Sequence, residues 1–475
     1  MKNTEGNAIK NNIFYLNSLD YIKILYFIFE FGIYLTTLIR VQLTISEISC
    51  AAIAVALGLA RILISCRKLD VMSFYLWVYV DASLILWVQI KNIVDGFSPP
   101  GSTSIMAIGI ASLLFLLIVS LFRKRLNTRS ISRMIPLQTR DKWKSYTLIL
   151  IIVAGCYLST WLSDYMGIAA LGRERKNYTF HIAGLIENLR LYINPILLLV
   201  IVDRFRESGV LTKYFSIFVI ISWFIYDGAV KMSKGSLIYF AVLYGVYLAY
   251  NNKIKLYHLI FAAILLAASL YSYNTIQFYR YYSPDGFSLK GFIACQETAK
   301  EIENSLEDGK FIKAYTRFFL AGYHLSVLHT YFTDNNISIF EATKVFPKDV
   351  SPPELMTHYV KQFPLNAYHS EGSTFLTEGL FYLGPAGVVC GVVFFSLLCQ
   401  ILDSSPFLMK RTALQAGIAY NIHLFLNVGI YEVIFFRYQV GIGILMGLIG
   451  IAIMYGFPPR LQSGFRKFVK GYYNI

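Results

Sequence analysis

The stretch Thr103–Phe122, TSIMAIGIASLLFLLIVSLF, contains no charged residue and only four hydroxyl side chains. An α-helix rises about 1.5 Å per residue, so about 20 apolar residues cross the roughly 30 Å hydrocarbon core of a bilayer. This stretch therefore predicts a transmembrane helix, and the remainder of the chain can be divided by the same criterion.

Composition agrees with a membrane protein. Of 475 residues, 56% are hydrophobic and 15% are charged, whereas soluble domains carry about 25% charged residues. The 16% aromatic content suits rings anchored at the two membrane interfaces. The six cysteines are scattered without a Cys-x-x-Cys pair, so we expect neither a disulfide framework nor a metal site.

Twelve stretches are apolar enough to be spans, which predicts an all-α, polytopic integral membrane protein with about 12 transmembrane helices. They are Tyr21–Ile39, Ile45–Ile64, Val71–Ile90, Thr103–Phe122, Tyr146–Met166, Leu185–Val202, Tyr214–Gly228, Ser236–Tyr250, Leu256–Ile276, Leu380–Leu402, Ala413–Tyr431 and Tyr438–Tyr455. The seventh and eighth are the shortest.

Lysine and arginine orient the chain, because cytoplasmic loops carry an excess of both. The segment Arg123–Lys144 has eight basic residues and one acidic residue, Asp141. A cytoplasmic N-terminus places this segment and the basic tail Arg460–Lys470 on the same side. We therefore expect both termini in the cytoplasm and a location in the cell inner membrane. The net charge of +15 is explained by this bias, so nucleic-acid binding is not expected.

The same orientation places one long connection outside, in the periplasm. We divide the chain into residues 1–276 with nine spans, 277–374 as a large periplasmic loop, and 375–475 with three spans and the basic tail. Within the loop, helices are predicted near Ile293–Leu306 and Phe311–Phe332. We expect them to form a small cap lying on the membrane surface, with His324 and His329 exposed.

The position of the long loop bears on the class of protein. Many transporters consist of two six-span halves, often with a long cytoplasmic linker between them. Here the link after the sixth span is short, Asp203–Lys213, and the long loop is extracytoplasmic. This asymmetry favours an enzyme that acts at the outer leaflet.

Cations outside the membrane are informative, because the charge bias predicts few of them there. Basic groups beside helix N-termini can bind a phosphate or pyrophosphate; alternatively they contact lipid headgroups. The candidates are Arg173, Arg175, Lys176, Arg190, Lys231, Lys234, Arg280, Arg317 and Arg437, with His324 as a further substrate-binding candidate.

A second group precedes the tenth span: His369, Glu371 and Glu378. If Glu371 and Glu378 share a helix, they lie on one face two turns apart. A carboxylate near a membrane interface can act as a base for a sugar hydroxyl. Alternatively, Glu371 and Ser373 cap a helix while Glu378 pairs with an arginine.

Polar residues inside predicted spans form a third set. The eleventh span carries Asn421, His423 and Asn427 and leads to Glu432. For the other four, a buried structural network is the expectation: Lys23, Glu30, Arg61 and Asp81.

The topology and two short motifs resemble the bacterial O-antigen and capsule repeat-unit polymerases (Wzy). The first motif is Glu371-Gly372-Ser373 followed by Thr377-Glu378-Gly379-Leu380-Phe381-Tyr382-Leu383-Gly384-Pro385-Ala386-Gly387. The second is Met232-Ser233-Lys234-Gly235, where the family usually has Arg in place of Lys234. The resemblance in topology covers nearly the whole chain, and the motifs cover about thirty positions.

The resemblance implies a GT-C-like fold and a metal-independent glycosyltransferase without a cofactor. Its substrates would be oligosaccharide repeat units on undecaprenyl pyrophosphate, and its partners membrane lipids and a chain-length regulator. The cations would bind pyrophosphate, and Glu378, His369 or Glu371 would lie near the acceptor hydroxyl. Two alternatives remain: an O-antigen ligase-like transferase, and a flippase or transporter of lipid-linked oligosaccharides.

Overall fold

The computed structural model describes residues 18–66, 68–99, 101–121, 142–166, 186–187, 189–204, 210–231, 235–251, 254–261, 264, 290–291, 293–295, 297, 320–336, 374–405, 408 and 412–428. These residues are mostly helical and include no strand, which confirms the all-α prediction for this part of the chain. The main helices, in chain order, are α1 (Ser18–Arg40), α2 (Ile45–Ser65), α3 (Val71–Asp95), α4 (Ser102–Leu121), α5 (Lys142–Tyr165), α6 (Asn194–Arg204), α7 (Val210–Lys231), α8 (Gly235–Tyr250), α9 (Leu320–Asp334), α10 (Phe375–Ser404) and α11 (Thr412–Val428).

Five of these helices, α1 to α4 and α10, are long and apolar enough to cross a membrane. Shorter apolar helices occupy Ile149–Tyr165, Leu189–Ile201, Tyr214–Gly228 and Ala241–Tyr250. Together they support a multi-pass membrane protein. The twelfth predicted span and most of the ninth lie outside the described residues, so the number of twelve stays a prediction.

Many apolar side chains of α1 and α2 face outward. Leu25 is 56% exposed, Ile39 83% and Leu63 73%. A soluble protein rarely leaves such a surface in contact with water, whereas lipid covers it without cost. The first two helices therefore present lipid-facing sides, as a membrane protein requires.

The described chain divides into two compact units. The first comprises Met1–Asn127, Ala241–Leu270 and Thr298–Ile434, and the second Thr128–Phe240, Tyr271–Glu297 and Phe435–Ile475, with the described residues lying inside these ranges. In the first unit α2 packs on α4, α10 packs on α3 and α4, and α1 packs on α2 and α3. In the second, α5, α6 and α7 pack on one another.

Two of the apolar helices contain a π-helical turn. In α3 it covers Ala82–Leu86, directly after Asp81, and a second covers Leu189–Ile193, immediately before α6. A π turn inserts one extra residue into a helix and often marks a functional position. Both described π turns lie at a buried ionisable residue. The first directly follows Asp81, and the second contains Arg190.

Helix α10 is a helical hairpin and not one straight span. Its backbone leaves helical geometry at Gly384 (φ 63°, ψ −154°), which is followed by Pro385. The backbones at Gly379 and Gly387 are in close contact, since a Cβ added to Gly379 would lie 2.7 Å from the carbonyl carbon of Gly387. The rings of Phe375 and Phe395 are 4.8 Å apart between centroids. A short arm, residues 375–383, therefore lies antiparallel to a long arm, residues 385–404, where the sequence had predicted one continuous span, Leu380–Leu402.

The long arm fixes the direction of the hairpin. Asp403 near its end accepts hydrogen bonds from the first residues of α3, and Phe375 stacks on Tyr79, further along α3 at 5.8 Å between ring centroids. The tip at Gly384 thus points towards the Asp95 end of α3, which is the outer end in the predicted orientation. The short arm begins inside the bundle.

Helix α9 comes from the predicted outer loop and runs along α3. A Cβ on Gly322 would meet the Ser83 carbonyl oxygen at 2.2 Å, and one on Gly101 would meet the His329 ring at 2.1 Å. Ser83 lies near the middle of α3, and Gly101 lies beyond its end. This helix packs into the bundle, where we had expected a cap lying on the membrane surface.

Candidate functional site

Of the predicted site residues, the structure describes the side chains of Glu378, His324 and Arg190 and the backbone of Lys231. The other predicted residues lie outside the described residues, and their roles stay predictions. They are His369, Glu371, Arg173, Arg175, Lys176, Lys234, Arg280, Arg317 and Arg437.

Glu378 lies in the first turn of the short arm and is 3% exposed. Its backbone N–H donates to the Thr374 carbonyl oxygen at 2.9 Å, which starts the helix. Because the arm begins beside Tyr79, the carboxyl group is inside the first unit. We had expected it at the outer mouth of a span. A substrate hydroxyl would have to reach below the membrane surface to contact it.

The turn that carries Glu378 is held by hydroxyl groups. Thr374 is the N-cap residue, and its side chain accepts from the Thr377 N–H at 3.3 Å. The hydroxyl oxygens of Thr374 and Thr377 are 2.6 Å apart, and Thr374 also bonds the Tyr79 side chain. Since Tyr79 donates its proton to the Leu426 carbonyl oxygen at 3.1 Å, Thr374 donates to Tyr79 and Thr377 to Thr374. This series of hydrogen bonds connects the hairpin to α3 and α11.

An imidazole lies on the same side of α3. His423 Nδ1 and the Tyr75 hydroxyl form a short hydrogen bond, and their rings meet edge-on at 5.4 Å between centroids. Tyr75 and Tyr79 are one helical turn apart, with ring centroids 6.4 Å from each other. The structure thus places His423 against Tyr75, one helical turn from Tyr79, which contacts the start of the arm that carries Glu378. The side chains of Asn427 and Glu432 lie outside the described part of the chain.

His324 is fully buried in α9, with 0% exposure. We had expected a surface position, and that expectation is wrong for this residue. The helical stripe of apolar residues continues on both sides of it, since Leu325 is 3% and Leu328 0% exposed. His324 therefore belongs to the face of α9 that packs on the bundle, because α9 is inserted along α3.

Arg190 lies in the second unit, between two carboxylates. Its Nη1 donates to both oxygens of Asp227 at 2.6 and 2.7 Å. Its Nε donates to Glu187 Oε2 at 2.9 Å, and its Nη2 to Glu187 Oε1 at 2.5 Å. Ser163 and Thr160 donate to the same two carboxylates. Each nitrogen of the guanidinium donates to one of these two carboxylates, which therefore already balance its charge.

The sequence reasoning missed the partners of these residues. Asp227 is a carboxylate in a predicted span, and such a residue indicates a partner of opposite charge, but nothing in the sequence specifies Arg190 as that partner. Thr374 and Thr377 fit the pattern of an N-cap and its third residue, which could have indicated a helix start at 375. No local sequence pattern indicates the role of Tyr79.

The described residues include no group of three or more His, Cys, Asp or Glu side chains arranged to hold a metal ion. What they do include is a buried carboxylate in the first turn of an inserted helical arm, which the Thr374 side chain caps. No family model, curated protein or solved structure matches this chain.

Proposed function

We propose that this protein is a polysaccharide polymerase of the inner membrane. It would join oligosaccharide repeat units carried on undecaprenyl pyrophosphate into O-antigen or capsular polysaccharide at the periplasmic face. The observation that supports the proposal best is the position of Glu378. This carboxylate follows directly on the predicted outer loop, and it is buried among side chains of a helical membrane bundle.

In the proposed reaction, Glu378 is the general base. It takes the proton of the acceptor hydroxyl while that oxygen forms a bond to the anomeric carbon of the donor glycan. The bond between the anomeric carbon and the pyrophosphate oxygen breaks, and the lipid pyrophosphate leaves with its electron pair.

The leaving pyrophosphate requires positive charge, which stabilises the negative charge that develops on it. The proposal assigns this role to cations of the outer segments: Arg173, Arg175, Lys176, Lys231, Lys234, Arg280, Arg317 and Arg437. Arg190 is left out of this role, because its guanidinium is engaged by Asp227 and Glu187. Tyr79 is a positioning residue, since it holds the turn of Glu378 through Thr374.

The test is polymerisation by the purified full-length protein with a synthetic lipid-linked repeat unit. We expect Glu378→Gln to lower the rate of chain growth by about 10²- to 10⁴-fold, the usual contribution of a general base. Glu297→Gln is the matched control, because Glu297 is an exposed glutamate in the outer segment. A folded Glu378→Gln protein that polymerises at the wild-type rate would refute the assignment of the base.

A second candidate function is transport of the lipid-linked oligosaccharide across the membrane. One observation favours it: a helical hairpin that ends inside the bundle is a feature of many transporters, where such backbone lines a cavity. A deletion strain separates the candidates. Loss of a polymerase leaves lipopolysaccharide core with one repeat unit, loss of a ligase leaves bare core, and loss of a flippase traps repeat units on the cytoplasmic leaflet.

A further inference from the structure

Three helices of the first unit enclose a small polar cavity. It lies between α1, α2 and α3 and has room for about one water molecule. The polar part of its lining consists of one carboxyl group, two cations and two hydroxyl groups, which belong to Glu30, Lys23, Arg61, Tyr26 and Ser65. Cavities that stay dry in protein interiors have apolar walls, so this lining indicates a polar ligand.

Ser65 contributes a hydroxyl group that has no hydrogen-bond partner among the residues that the structure describes. The residue is 0% exposed, and its Oγ is buried. Buried polar groups nearly always bond either to another protein group or to an ordered water. Because Ser65 lines the cavity, a ligand held there can supply the partner that the protein does not.

The Glu30 carboxyl group lies against α2 and also lines the cavity. A Cβ added to Gly58 would lie 3.0 Å from Glu30 Oε2 and 3.6 Å from Oε1. Gly58 and Arg61 are neighbours on one face of α2, since residues three apart lie on the same side of a helix. Glu30 nevertheless forms no ion pair with Arg61 or with another cation of the described chain.

The two cations of the lining are held by a different acid. Lys23 Nζ donates to Asp70 Oδ1 at 2.5 Å and to the carbonyl oxygens of Ser65 and Lys68 at 3.0 and 3.2 Å. Arg61 Nη2 donates to Asp70 Oδ2 at 2.5 Å. Lys23 thus uses its three protons, whereas the Arg61 guanidinium, which has five N–H donors, retains N–H groups for a further acceptor.

The charges around the cavity select the ligand. Lys23 and Arg61 disfavour a cation in this space, and the Glu30 carboxyl group disfavours an anion. A small neutral molecule that both donates and accepts hydrogen bonds fits the lining and the size. Water can donate to Glu30 while it accepts from Arg61, and the Ser65 hydroxyl can take either role.

We propose that this cavity is a binding site for one water molecule, which joins the Glu30 carboxyl group to Ser65 and Arg61 inside the membrane. The water connects Glu30 to the cluster of Lys23, Arg61 and Asp70, which the carboxyl group does not contact directly. The site is separate from the proposed transfer reaction, and it exists whether or not the protein makes polysaccharide.

X-ray hydroxyl-radical footprinting of the full-length protein in lipid nanodiscs tests the site. Radiolysis of a bound water produces a hydroxyl radical in place, which oxidises neighbouring side chains even when they are shielded from bulk solvent. Trp77 lines the cavity and is 2% exposed, and Trp223 of α7 has the same exposure. We expect Trp77 to be oxidised several-fold faster than Trp223.

A pair of glycine variants shows whether the oxidation depends on the cavity. Gly58 lines it, so Gly58→Ala adds a methyl group beside Glu30 and narrows the space. Oxidation of Trp77 should then fall to the level of Trp223. Gly32→Ala is the matched control in α1, because nothing lies within 4 Å of the added carbon, and it should leave the oxidation of Trp77 unchanged.

The comparison of the two tryptophans in wild-type protein needs no variant, so the test is valid even if Gly58→Ala does not fold. Equal oxidation of Trp77 and Trp223 in wild type would mean that the cavity is dry and would refute the proposal. Undiminished oxidation of Trp77 in a folded Gly58→Ala protein would refute it as well. Neither readout depends on glycan synthesis.

Discussion

At the scale of single residues, Asp403 shows how one carboxylate can join three helices. It lies near the end of α10 and accepts the backbone N–H groups of Met72 at 3.1 Å and Ser73 at 2.9 Å. It also accepts the Ser73 hydroxyl and, from α8, the Tyr250 hydroxyl, both at 2.7 Å. The first N–H groups of a helix have no partner within the helix, so Asp403 supplies an acceptor to α3 from a distant part of the sequence.

Asp403→Ala should therefore destabilise the protein by about 2–4 kcal/mol, because it leaves buried donors without an acceptor and removes a helix cap. Thermal unfolding in detergent measures the loss. Ser404→Ala is the control, since the Ser404 hydroxyl bonds only the Gln400 carbonyl of its own helix among the contacts described. Equal unfolding temperatures for the Asp403→Ala and Ser404→Ala proteins would contradict the capping role.

The buried charged residues also show how much a single sequence can predict. Glu378 could be proposed as a candidate because a carboxylate close to an apolar run is unusual, and its role stays a prediction. The pairing of Arg190 with Asp227 could not, because the two residues are 37 positions apart and local patterns do not specify such a contact. The same limit applies to Asp403, which lies just beyond a predicted span and resembles any polar residue at a helix end.

At the scale of elements, the hairpin is the largest departure from the sequence-based expectation. The stretch from Leu380 to Leu402 contains no charged residue, and hydropathy alone predicts a single span. Gly384 and Pro385 were the available signal, since this pair commonly marks a turn. A glycine is required at 384 because its φ of 63° is unfavourable for other residues. Glycines at 379 and 387 allow the two arms to touch.

Gly387→Ala should separate the arms, because its Cβ would lie 2.1 Å from the Gly379 carbonyl oxygen, a backbone atom. We expect a loss of about 1–3 kcal/mol, the usual cost of overpacking, and a lower unfolding temperature. Gly245→Ala provides a matched control in α8, where nothing lies within 4 Å of the added carbon. That change should be neutral or stabilising by up to about 1 kcal/mol. Similar behaviour of both variants would argue against close contact of the arms.

At the scale of the whole molecule, the fold class was predictable because bilayer thickness dictates the length of an apolar helix. Five described helices meet that requirement. Orientation rests on the lysine and arginine bias and is still a prediction. Which helices touch was not predictable, because apolar faces are chemically alike and packing depends on side-chain shape. The insertion of α9 along α3 is an example.

Reporter fusions test the orientation. Alkaline phosphatase is active only outside the cytoplasm, so a fusion after Gly96 should be active and a fusion after Lys255 inactive. Green fluorescent protein at the C-terminus, after Ile475, should fluoresce, since it does not become fluorescent when exported unfolded to the periplasm. The opposite pattern at these positions would invert the topology and place the predicted outer cations in the cytoplasm.

The hairpin also has a consequence for biosynthesis. The short arm leaves the ribosome before the long arm, and it is too short to cross a bilayer. On its own it would expose Glu378 and the Thr374 backbone to lipid, which is unfavourable. It can enter only together with the long arm, after α3 is already in place to receive it. The segment that carries the proposed catalytic base is thus expected to be among the last parts of the bundle to assemble, so defects in membrane insertion should appear there first.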